Sequence, residues 1–396
     1  MSDDALPAIE GGTPIFEDGI GYGGQSISEA DKQAVFEALE GDYITRGPTV
    51  EKFEAAVADY VGVDHAIAVT SGTAALHLAG KAAGFGPGDE VITTPLTFAS
   101  TAHAAVYNDA TPVFADVKRD TRNLDPEAVR DQITEDTAGL IPMHFAGQPC
   151  EVDEMLDIAD EHDLTVIWDA CHAIGSTWRE KPAGSHRNAA VFSFHPVKNI
   201  TTAEGGMVVT DDEKFAERVR SLRSFDMEYS PEGHEDEPWF QVTEGVGYNY
   251  NVTDLQAALG LSQLDRIDSF KQRRKEIIAR YEEAFSDIPG LHLPTVKNDV
   301  DPMWHLFAVE IDEEFGCDRK QFVNAMHAEN IYVQVHYVPL NYHPLFQERF
   351  GYEEGQFPNA EAIYDGIVSL PLYPSMDGET EEAVIRAVQR IHQYYT

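Results

Sequence analysis

Short apolar runs rich in β-branched residues alternate with amphipathic stretches through the first two thirds of the chain. Parallel neighbouring strands need a crossover between them, usually a helix, so this alternation predicts an α/β domain with a largely parallel sheet. We predict strands at residues 66–69, 90–93, 112–115, 139–142, 165–168, 190–194 and 206–209. We predict helices in the same part at residues 73–83, 152–161 and 212–223.

The last third has a second pattern of helices and strands. A helical region covers residues 254–286 and ends before Pro289-Gly290. Beyond it we predict strands at 304–311 and 331–337 and helices at 319–329 and 380–394. The chain has 396 residues, more than a single hydrophobic core usually supports. We therefore predict a large domain over residues 1–260, with an N-terminal arm, and a small C-terminal α/β domain over residues 261–396.

The net charge of -41 comes from 69 acidic and 28 basic side chains that are spread along the chain. Two interpretations are open, an acidic partner-binding surface and a surface adapted to high salt. We favour the second, a halophilic protein, because molar salt shortens the Debye length to about 3 Å and screens self-repulsion. No basic stripe is present to meet phosphates, which argues against nucleic acid as a partner.

Several features favour a cytoplasmic enzyme without a membrane partner. No apolar run reaches about 18 residues, and residues 1–4 (MSDD) lack the basic region of a secretory signal. The three cysteines are far apart and form no CxxC pair, as suits a reducing compartment. We predict no metal site, because His144, His195, His305, His336 and His343 lack the spacing of a helical ligand pair.

The first chemical motif is SGTAAL at residues 71–76, between a predicted strand and a predicted helix. A small, glycine-containing turn at a helix N-terminus presents backbone N–H groups and the positive end of the helix dipole, and both bind phosphate. Thr73 could add its hydroxyl. Taken alone, the motif fits an ordinary Ser or Thr helix cap equally well.

The second motif is WDACHA at residues 168–173, where a predicted strand delivers Asp169 at its C-terminal end. Ligands of open α/β sheets bind at that edge. A buried aspartate needs a cationic partner, and a protonated pyridine nitrogen is one such partner. A capping aspartate in a βα loop remains an alternative for this motif in isolation.

The third motif is SFHPVKN at residues 193–199, followed by Gly205-Gly206. Lys198 lies in a stretch of low charge. Partial desolvation lowers the pKa of an amine, which suits a lysine that bonds covalently to a carbonyl group. A lone lysine is usually a solvated surface charge, and the two upstream motifs are what favour a functional Lys198.

The three motifs follow one another as a phosphate-binding turn, an aspartate and a lysine, each at the end of a predicted strand. In this order the chain resembles the DegT/DnrJ/EryC1/StrS sugar aminotransferases. The resemblance runs from about Tyr22 to Tyr373. It includes the segments 94–100 (TPLTFAS), 247–251 (GYNYN), 256–260 (QAALG) and 370–374 (LPLYP). It implies the fold-type I architecture of aspartate aminotransferase, a large, mostly parallel seven-stranded sheet domain plus a small C-terminal domain, and pyridoxal 5'-phosphate (PLP) as cofactor.

Within the family, the segments 144–150 (HFAGQPC), 193–198 (SFHPVK) and 333–337 (VQVHY) are most similar to the C4 aminotransferases of pseudaminic acid biosynthesis. That likeness implies a UDP-linked 2-acetamido-2,6-dideoxy-4-keto hexose as amino acceptor and L-glutamate as amino donor. It also implies ping-pong kinetics and a homodimer with shared active sites.

The resemblance further implies a role for each matching residue. Lys198 would bind the cofactor covalently, and Asp169 would pair with its pyridine nitrogen. His172 would lie near the phenolic oxygen and Phe98 against the ring. The phosphate would be held by Gly72, Thr73, Ser193 and, from a neighbouring subunit, Asn249. The sugar nucleotide would be contacted by Tyr22, Asp42, Tyr43, Ile44, Thr45, Gln334, Val335, His336 and Tyr337.

One departure from the family pattern concerns the amino donor. Relatives commonly have Arg or Lys where this chain has Asn251, and a cation there could bind the donor carboxylate through two hydrogen bonds. Arg46 and Arg223 are candidates to replace it. Two other functions stay open, an aminotransferase for another nucleotide keto sugar (C3-amino, perosamine or 4-amino-arabinose type) and a non-catalytic regulatory protein of the same fold.

Overall fold

The computed structural model describes residues 6–229, 234 and 236–396. The first four residues, which entered the argument against a secretory signal, lie outside this part. Among the described helices, none combines the length and the apolar character that crossing a membrane requires.

The strands fall into one large sheet and several small ones. They are β1 (Ile20–Gly21), β2 (His65–Val69), β3 (Glu90–Thr93), β4 (Thr111–Phe114), β5 (Thr137–Ile141), β6 (Thr165–Asp169), β7 (Thr177–Trp178), β8 (Lys181–Pro182), β9 (Ala189–Ser193), β10 (Gly206–Thr210), β11 (Met227–Tyr229), β12 (Gln241–Thr243), β13 (Leu291–His292), β14 (Val300–Asp301), β15 (Phe307–Ile311), β16 (Ile331–Tyr332) and β17 (Ile367–Leu370).

The α-helices cover the large sheet and most of the C-terminal third. They are α1 (Glu29–Glu40), α2 (Pro48–Val61), α3 (Gly72–Ala82), α4 (Ala99–Val106), α5 (Pro126–Gln132), α6 (Val152–His162), α7 (Glu213–Arg223), α8 (Asp254–Leu264), α9 (Ile267–Phe285), α10 (Arg319–Ala328), α11 (Pro344–Phe350), α12 (Pro358–Gly366) and α13 (Gly378–Tyr395).

The large sheet has seven strands in the order β2-β10-β9-β6-β5-β3-β4. Six strands run in one direction, and β10 is antiparallel to both of its neighbours. The predicted large, mostly parallel sheet is therefore confirmed, and all seven predicted strands belong to it. The loops that follow the six parallel strands meet at one edge, which is where ligands of such sheets bind.

Side-chain caps define where several helices begin. Ser71 accepts a hydrogen bond from the backbone N–H of Ala74 at the start of α3, and Thr253 and Gln256 form a capping box at the start of α8. The helical region predicted over residues 254–286 is two helices, α8 and α9. They separate at Arg266, whose backbone is not helical (φ -108°, ψ 0°).

Two strands predicted in the C-terminal third are shorter than expected. The strand predicted at 304–311 begins at Phe307, because Trp304 has a left-handed backbone (φ +58°) that cannot continue a strand. The strand predicted at 331–337 ends at Tyr332, because its partner β1 is only two residues long. Residues 333–337 then follow an irregular path with one bridge between Gln334 and Ser369.

Two of the buried apolar clusters are joined by helix α9. Ile267 and Phe270 pack with residues of the large sheet, whereas Ile277 and Tyr281 pack with β15, β17, α10 and α13. The N-terminal arm contacts the C-terminal third, because the buried Glu329 accepts hydrogen bonds from the backbone N–H groups at residues 8 and 15. The domain division at 260/261 stays a prediction.

Candidate active site

A cavity of about 510 Å³ opens at the edge of the large sheet where the parallel strands end. Each of the three sequence motifs contributes to its wall. Residues that were predicted to bind cofactor or sugar and that line it are Tyr22, Gly72, Thr73, Phe98, Asp169, His172, Ser193, Lys198, Gln334, Val335, His336 and Tyr337. The structure thus brings together most of the predicted site residues.

The turn before α3 packs tightly against the end of β9. A Cβ atom added to Gly72 would lie 2.8 Å from Cβ of Ser193 and 3.1 Å from Sγ of Cys171, so only glycine fits there. The first N–H groups of a helix have no intrahelical acceptor. Together with the Thr73 and Ser193 hydroxyls, they form a cup in the cavity wall that suits a phosphate.

Asp169, the last residue of β6, is 3% exposed. Its Oδ2 accepts a hydrogen bond from the Thr101 hydroxyl at 2.7 Å, and its Oδ1 accepts one from the backbone N–H of Cys171 at 3.1 Å. No lysine, arginine or histidine in the part of the chain that the structure describes forms an ion pair with it. The carboxylate is therefore oriented but lacks a counter-cation.

Lys198 follows β9 and lines the same cavity. Its side chain forms no ion pair or hydrogen bond with any described residue. Burial lowers the pKa of its ammonium group, and the neighbouring Cys171 and Asp169 only partly oppose this effect. An amine with a lowered pKa is more often unprotonated and more nucleophilic at neutral pH.

A neutral histidine lies beside the lysine. Burial, followed by the charge of Lys198, holds the pKa of His172 well below its usual range. Its Nε2 is 3.1 Å from the hydroxyl of Tyr337, whereas its buried Nδ1 has no partner among the described residues. The ring of His305 packs on it with centroids 4.2 Å apart. This arrangement leaves Nδ1 of His172 as a buried nitrogen without a hydrogen-bond partner in the described part of the chain.

A second wall of the cavity is formed by Tyr22 of the N-terminal arm and by residues 334–337, which were predicted to bind the sugar nucleotide. The rings of Tyr22 and His336 are 5.2 Å apart. His336 is fixed by a 2.9 Å hydrogen bond between its Nδ1 and the Ser369 hydroxyl, and burial lowers its pKa to about 3. Phe98 is 59% exposed at the cavity mouth, with its ring 6.3 Å from that of Tyr337.

Five predicted site residues do not line this cavity. Asp42, Tyr43, Ile44, Thr45 and Asn249 are all exposed and lie elsewhere on the surface. Thr45 forms a bridge with Thr253, and Asn249 forms one with Ser224. Within one chain, the structure therefore separates the predicted set into residues that line the cavity and exposed residues that do not.

Two residues of the site were missed by the sequence analysis. Thr101 holds Asp169, and its only sequence signal is a four-residue spacing from Thr97, whose hydroxyl lies 2.7 Å away. His305 was considered only as a metal ligand and set aside, yet it lines the cavity against His172. No local pattern distinguishes His305, because its position depends on a chain segment more than 130 residues after His172.

The side chains present fit PLP. The cofactor needs a phosphate cup, an anion for its pyridinium nitrogen, a donor near its phenolic oxygen and an amine for its carbonyl carbon. The cup at Gly72, the unpaired carboxylate of Asp169, the orphaned nitrogen of His172 and the unpaired amine of Lys198 meet these needs in one cavity.

The profile of the DegT/DnrJ/EryC1/StrS aminotransferase family matches residues 25–389. The chain belongs to this family. Its members are PLP-dependent sugar aminotransferases. The expected family and the fold-type I architecture are thereby confirmed.

Individual members of the family resemble the chain over nearly its whole length. The spore coat polysaccharide biosynthesis protein SpsC of Bacillus subtilis is 45% identical over 92% of this chain and 95% of its own. Helicobacter pylori PseC, an aminotransferase involved in the biosynthesis of pseudaminic acid, is 31% identical with a TM-score of 0.88, over 95% of this chain and all of its own. The structure of DesI in the presence of its TDP-sugar product is 32% identical with a TM-score of 0.86, over 98% of this chain and 95% of its own.

Proposed function

We propose that the protein is a PLP-dependent aminotransferase that moves an amino group from L-glutamate to C4 of a UDP-linked 2-acetamido-2,6-dideoxy-4-keto hexose. The reaction would belong to nucleotide-sugar biosynthesis of the pseudaminic acid type, in the cytoplasm. The observation that carries the proposal is one cavity that holds both Lys198 and the buried Asp169, neither of which forms an ion pair with any residue that the structure describes.

Each residue of the cavity has a task in this proposal. Asp169 binds the pyridine nitrogen and keeps it protonated. Thr101 holds the carboxylate of Asp169 in place. PLP, when bound, supplies an electron sink for the C–H bond that breaks. The free amine of Lys198 takes the proton from Cα of glutamate and returns it to the carbon that receives the amino group. His172 donates to the phenolic oxygen, and its neutral state leaves the pyridine nitrogen as the main positive centre.

The acceptor assignment is supported by likeness and by the second wall of the cavity. PseC acts in pseudaminic acid biosynthesis, and DesI was solved with a TDP-sugar. Tyr22 and His336 present aromatic faces, and Gln334 is an exposed polar group beside them. Aromatic faces and neutral hydrogen-bonding groups are suited to a sugar ring and a nucleobase.

We propose a homodimer whose two sites are shared. The rings of Tyr248 and Tyr250 stack on each other 5.1 Å apart and pack on His77, so the intervening Asn249 points outward. Asn251 donates to Oδ1 of Asn249 at 3.1 Å and so orders its side chain. An ordered, outward amide that does not line the active-site cavity of its own chain is suited to the phosphate of a second copy.

Mixing two inactive variants tests the shared site. Lys198→Ala and Asn249→Asp should each be inactive alone, the latter because a carboxylate would repel the phosphate. If the subunits exchange, a mixed dimer contains one site with both native residues, and activity should return. A mixture that stays inactive after proven exchange would contradict sharing.

The amino donor is proposed on likeness alone. Asn251 accepts a hydrogen bond from the Ser224 hydroxyl at 2.7 Å. Its side chain can form only neutral hydrogen bonds with the carboxylate of an amino donor. Arg223 is occupied by an ion pair with Glu54 at 2.6 Å and a bond to the Ala68 carbonyl. Arg46 is exposed and forms no ion pair within the described part of the chain. Arg46 is therefore the better candidate to replace the missing cation.

Incubation with PLP, glutamate and a panel of UDP- and TDP-linked 3-keto and 4-keto sugars, followed by NMR of the products, tests the assignment. We expect an amino group at C4 of the UDP-linked 2-acetamido sugar. If only a C3-keto, perosamine-type or 4-amino-arabinose-type precursor is aminated, that sugar replaces the proposed substrate. A wild type that binds PLP and sugar without turnover would indicate the regulatory alternative.

A further inference from the structure

Helix α9 buries an arginine that has no carboxylate partner. Arg274 is 1% exposed, and its guanidinium makes no ion pair with any acid in the described ranges 6–229, 234 and 236–396. Its Nε is also without a partner there. Burial lowers its pKa to about 10, with no opposing negative charge. Burying an uncompensated cation is costly, so a purely structural position would be better served by an apolar side chain.

The arginine donates its hydrogen bonds to two backbone carbonyl groups. Nη1 of Arg274 donates to the carbonyl oxygens of Trp304 and Leu372, each at 3.0 Å. These two residues are 68 positions apart in sequence and belong to different segments. One nitrogen therefore holds the two stretches of chain that lie just beyond the end of the β15–β17 pairing, whose outermost pair is Phe307 and Leu370.

The first segment leads to the histidine pair. Trp304 has a left-handed backbone, and its carbonyl is the last group before His305. The backbone N–H of His305 donates to the carbonyl of Ala146 at 2.9 Å. Held at both ends, the ring of His305 lies 4.2 Å from that of His172 in the cavity wall.

The second segment leads to the sugar side of the cavity. The backbone N–H of Leu372 donates to the carbonyl of Tyr22 at 3.0 Å. The Tyr22 ring in turn packs on His336. Two turns along the same face of α9, the hydroxyl of Tyr281 holds the carbonyl of Pro371 at 3.0 Å. Helix α9 thus anchors the strand end that supports Tyr22.

We propose that Arg274 is a positioning residue that sets the distance between the His305–His172 pair and the Tyr22–His336 wall. It touches neither cofactor nor sugar. The inference rests on the proposed function, because it assumes that the first wall serves the cofactor and the second the sugar.

A matched control is available in Arg122, which is also buried. It donates to the carbonyl of Ala308 and pairs with Glu310, and it does not line the cavity. Arg122→Met leaves Glu310 with its second partner, Arg119, at 2.9 Å. It therefore removes a buried guanidinium that makes no hydrogen bond to Trp304 or Leu372.

The test compares PLP-loaded wild type with Arg274→Met and Arg122→Met. We measure the circular dichroism of bound PLP and the Kd of UDP-N-acetylglucosamine, a non-reacting sugar nucleotide. The melting temperature of each variant is measured alongside as a check that it folds. Only Arg274→Met should change the PLP dichroism and weaken the sugar nucleotide about tenfold, as expected for lost hydrogen bonds.

The outcomes separate this inference from the proposed function. A wild type without PLP dichroism would overturn the proposed function. If the wild type shows PLP dichroism and Arg274→Met has the same dichroism and the same Kd as the wild type, the positioning role alone is overturned. If Arg274→Met does not fold, Arg274→Lys decides, because the lysine side chain is one atom shorter and places its ammonium short of the position of Nη1. A wild-type dichroism and Kd in that variant would equally overturn the role.

Discussion

Thr101 donates its hydroxyl hydrogen to Oδ2 of Asp169 at 2.7 Å, from the first turn of α4 to the end of β6. The backbone N–H of Cys171 occupies the other carboxylate oxygen. Each oxygen of Asp169 therefore has one protein donor and keeps a free lone pair. A carboxylate fixed in this way is ready for a cationic ligand, because little reorganisation is needed on binding.

Thr101→Val should weaken PLP binding. Valine keeps the shape of threonine and removes only the hydroxyl that orients Asp169. A hydrogen bond to a charged group contributes about 1.5–3 kcal/mol, so we expect the Kd of PLP to rise about tenfold or more. A fluorescence titration of the apoprotein with PLP measures this change.

The control is Thr93→Val. Thr93 is buried in the same sheet and donates to the Ile141 carbonyl at 2.7 Å, and it does not line the cavity. Its loss should lower stability without changing the Kd of PLP. Equal effects of the two substitutions on that Kd would contradict a specific role of Thr101.

Acid should destabilise the protein through buried histidines such as His144. Burial lowers the pKa of His144 from 6.5 to about 3, and its Nδ1 accepts from the backbone N–H of Cys150. The unfolded chain takes up this proton below about pH 6.5, but the folded protein does not. The stabilisation is therefore complete above about pH 6.5 and declines by about 1.4 kcal/mol per pH unit as the pH falls towards 3.

Denaturant unfolding at a series of pH values measures that dependence. His144→Gln removes the titrating group and keeps a hydrogen-bond acceptor. We expect the free energy of unfolding of this variant to fall less steeply with acid, by about one proton. Parallel curves for wild type and variant would mean that His144 is protonated in the folded state as readily as in the unfolded one.

Salt should stabilise the protein. With 69 acidic and 28 basic side chains, net repulsion exceeds what exposed ion pairs such as Lys32–Glu29 contribute, because such pairs give only about 0–1 kcal/mol. Screening at molar concentration removes the repulsion. The melting temperature should therefore rise from dilute buffer to molar KCl, and a constant or falling value would refute the halophilic interpretation.

Much of the fold could be predicted from local patterns. The strands of the large sheet are apolar runs between turns, and the central ones are buried on both faces, so composition marks them. The motifs around Gly72, Asp169 and Lys198 follow three of these strands, and their convergence follows from parallel topology.

The remainder depends on contacts between distant segments. Residues 333–337 looked like a strand, but a strand needs a partner, and β1 supplies only two residues. Trp304 has a left-handed backbone, and its carbonyl accepts a hydrogen bond from Arg274. No local sequence propensity reveals this contact. Asp42 to Thr45 and Asn249 resemble site residues by motif, yet they lie outside the cavity of their own chain.

The central claim is that Lys198 is the residue that holds PLP, and one measurement tests it most directly. The protein is loaded with PLP, reduced with borohydride and digested, and the modified peptide is identified by mass spectrometry. We predict a single pyridoxyl group on Lys198, absent from Lys198→Ala treated in the same way. A pyridoxyl group on another lysine of the wild type, or none at all, would contradict the account.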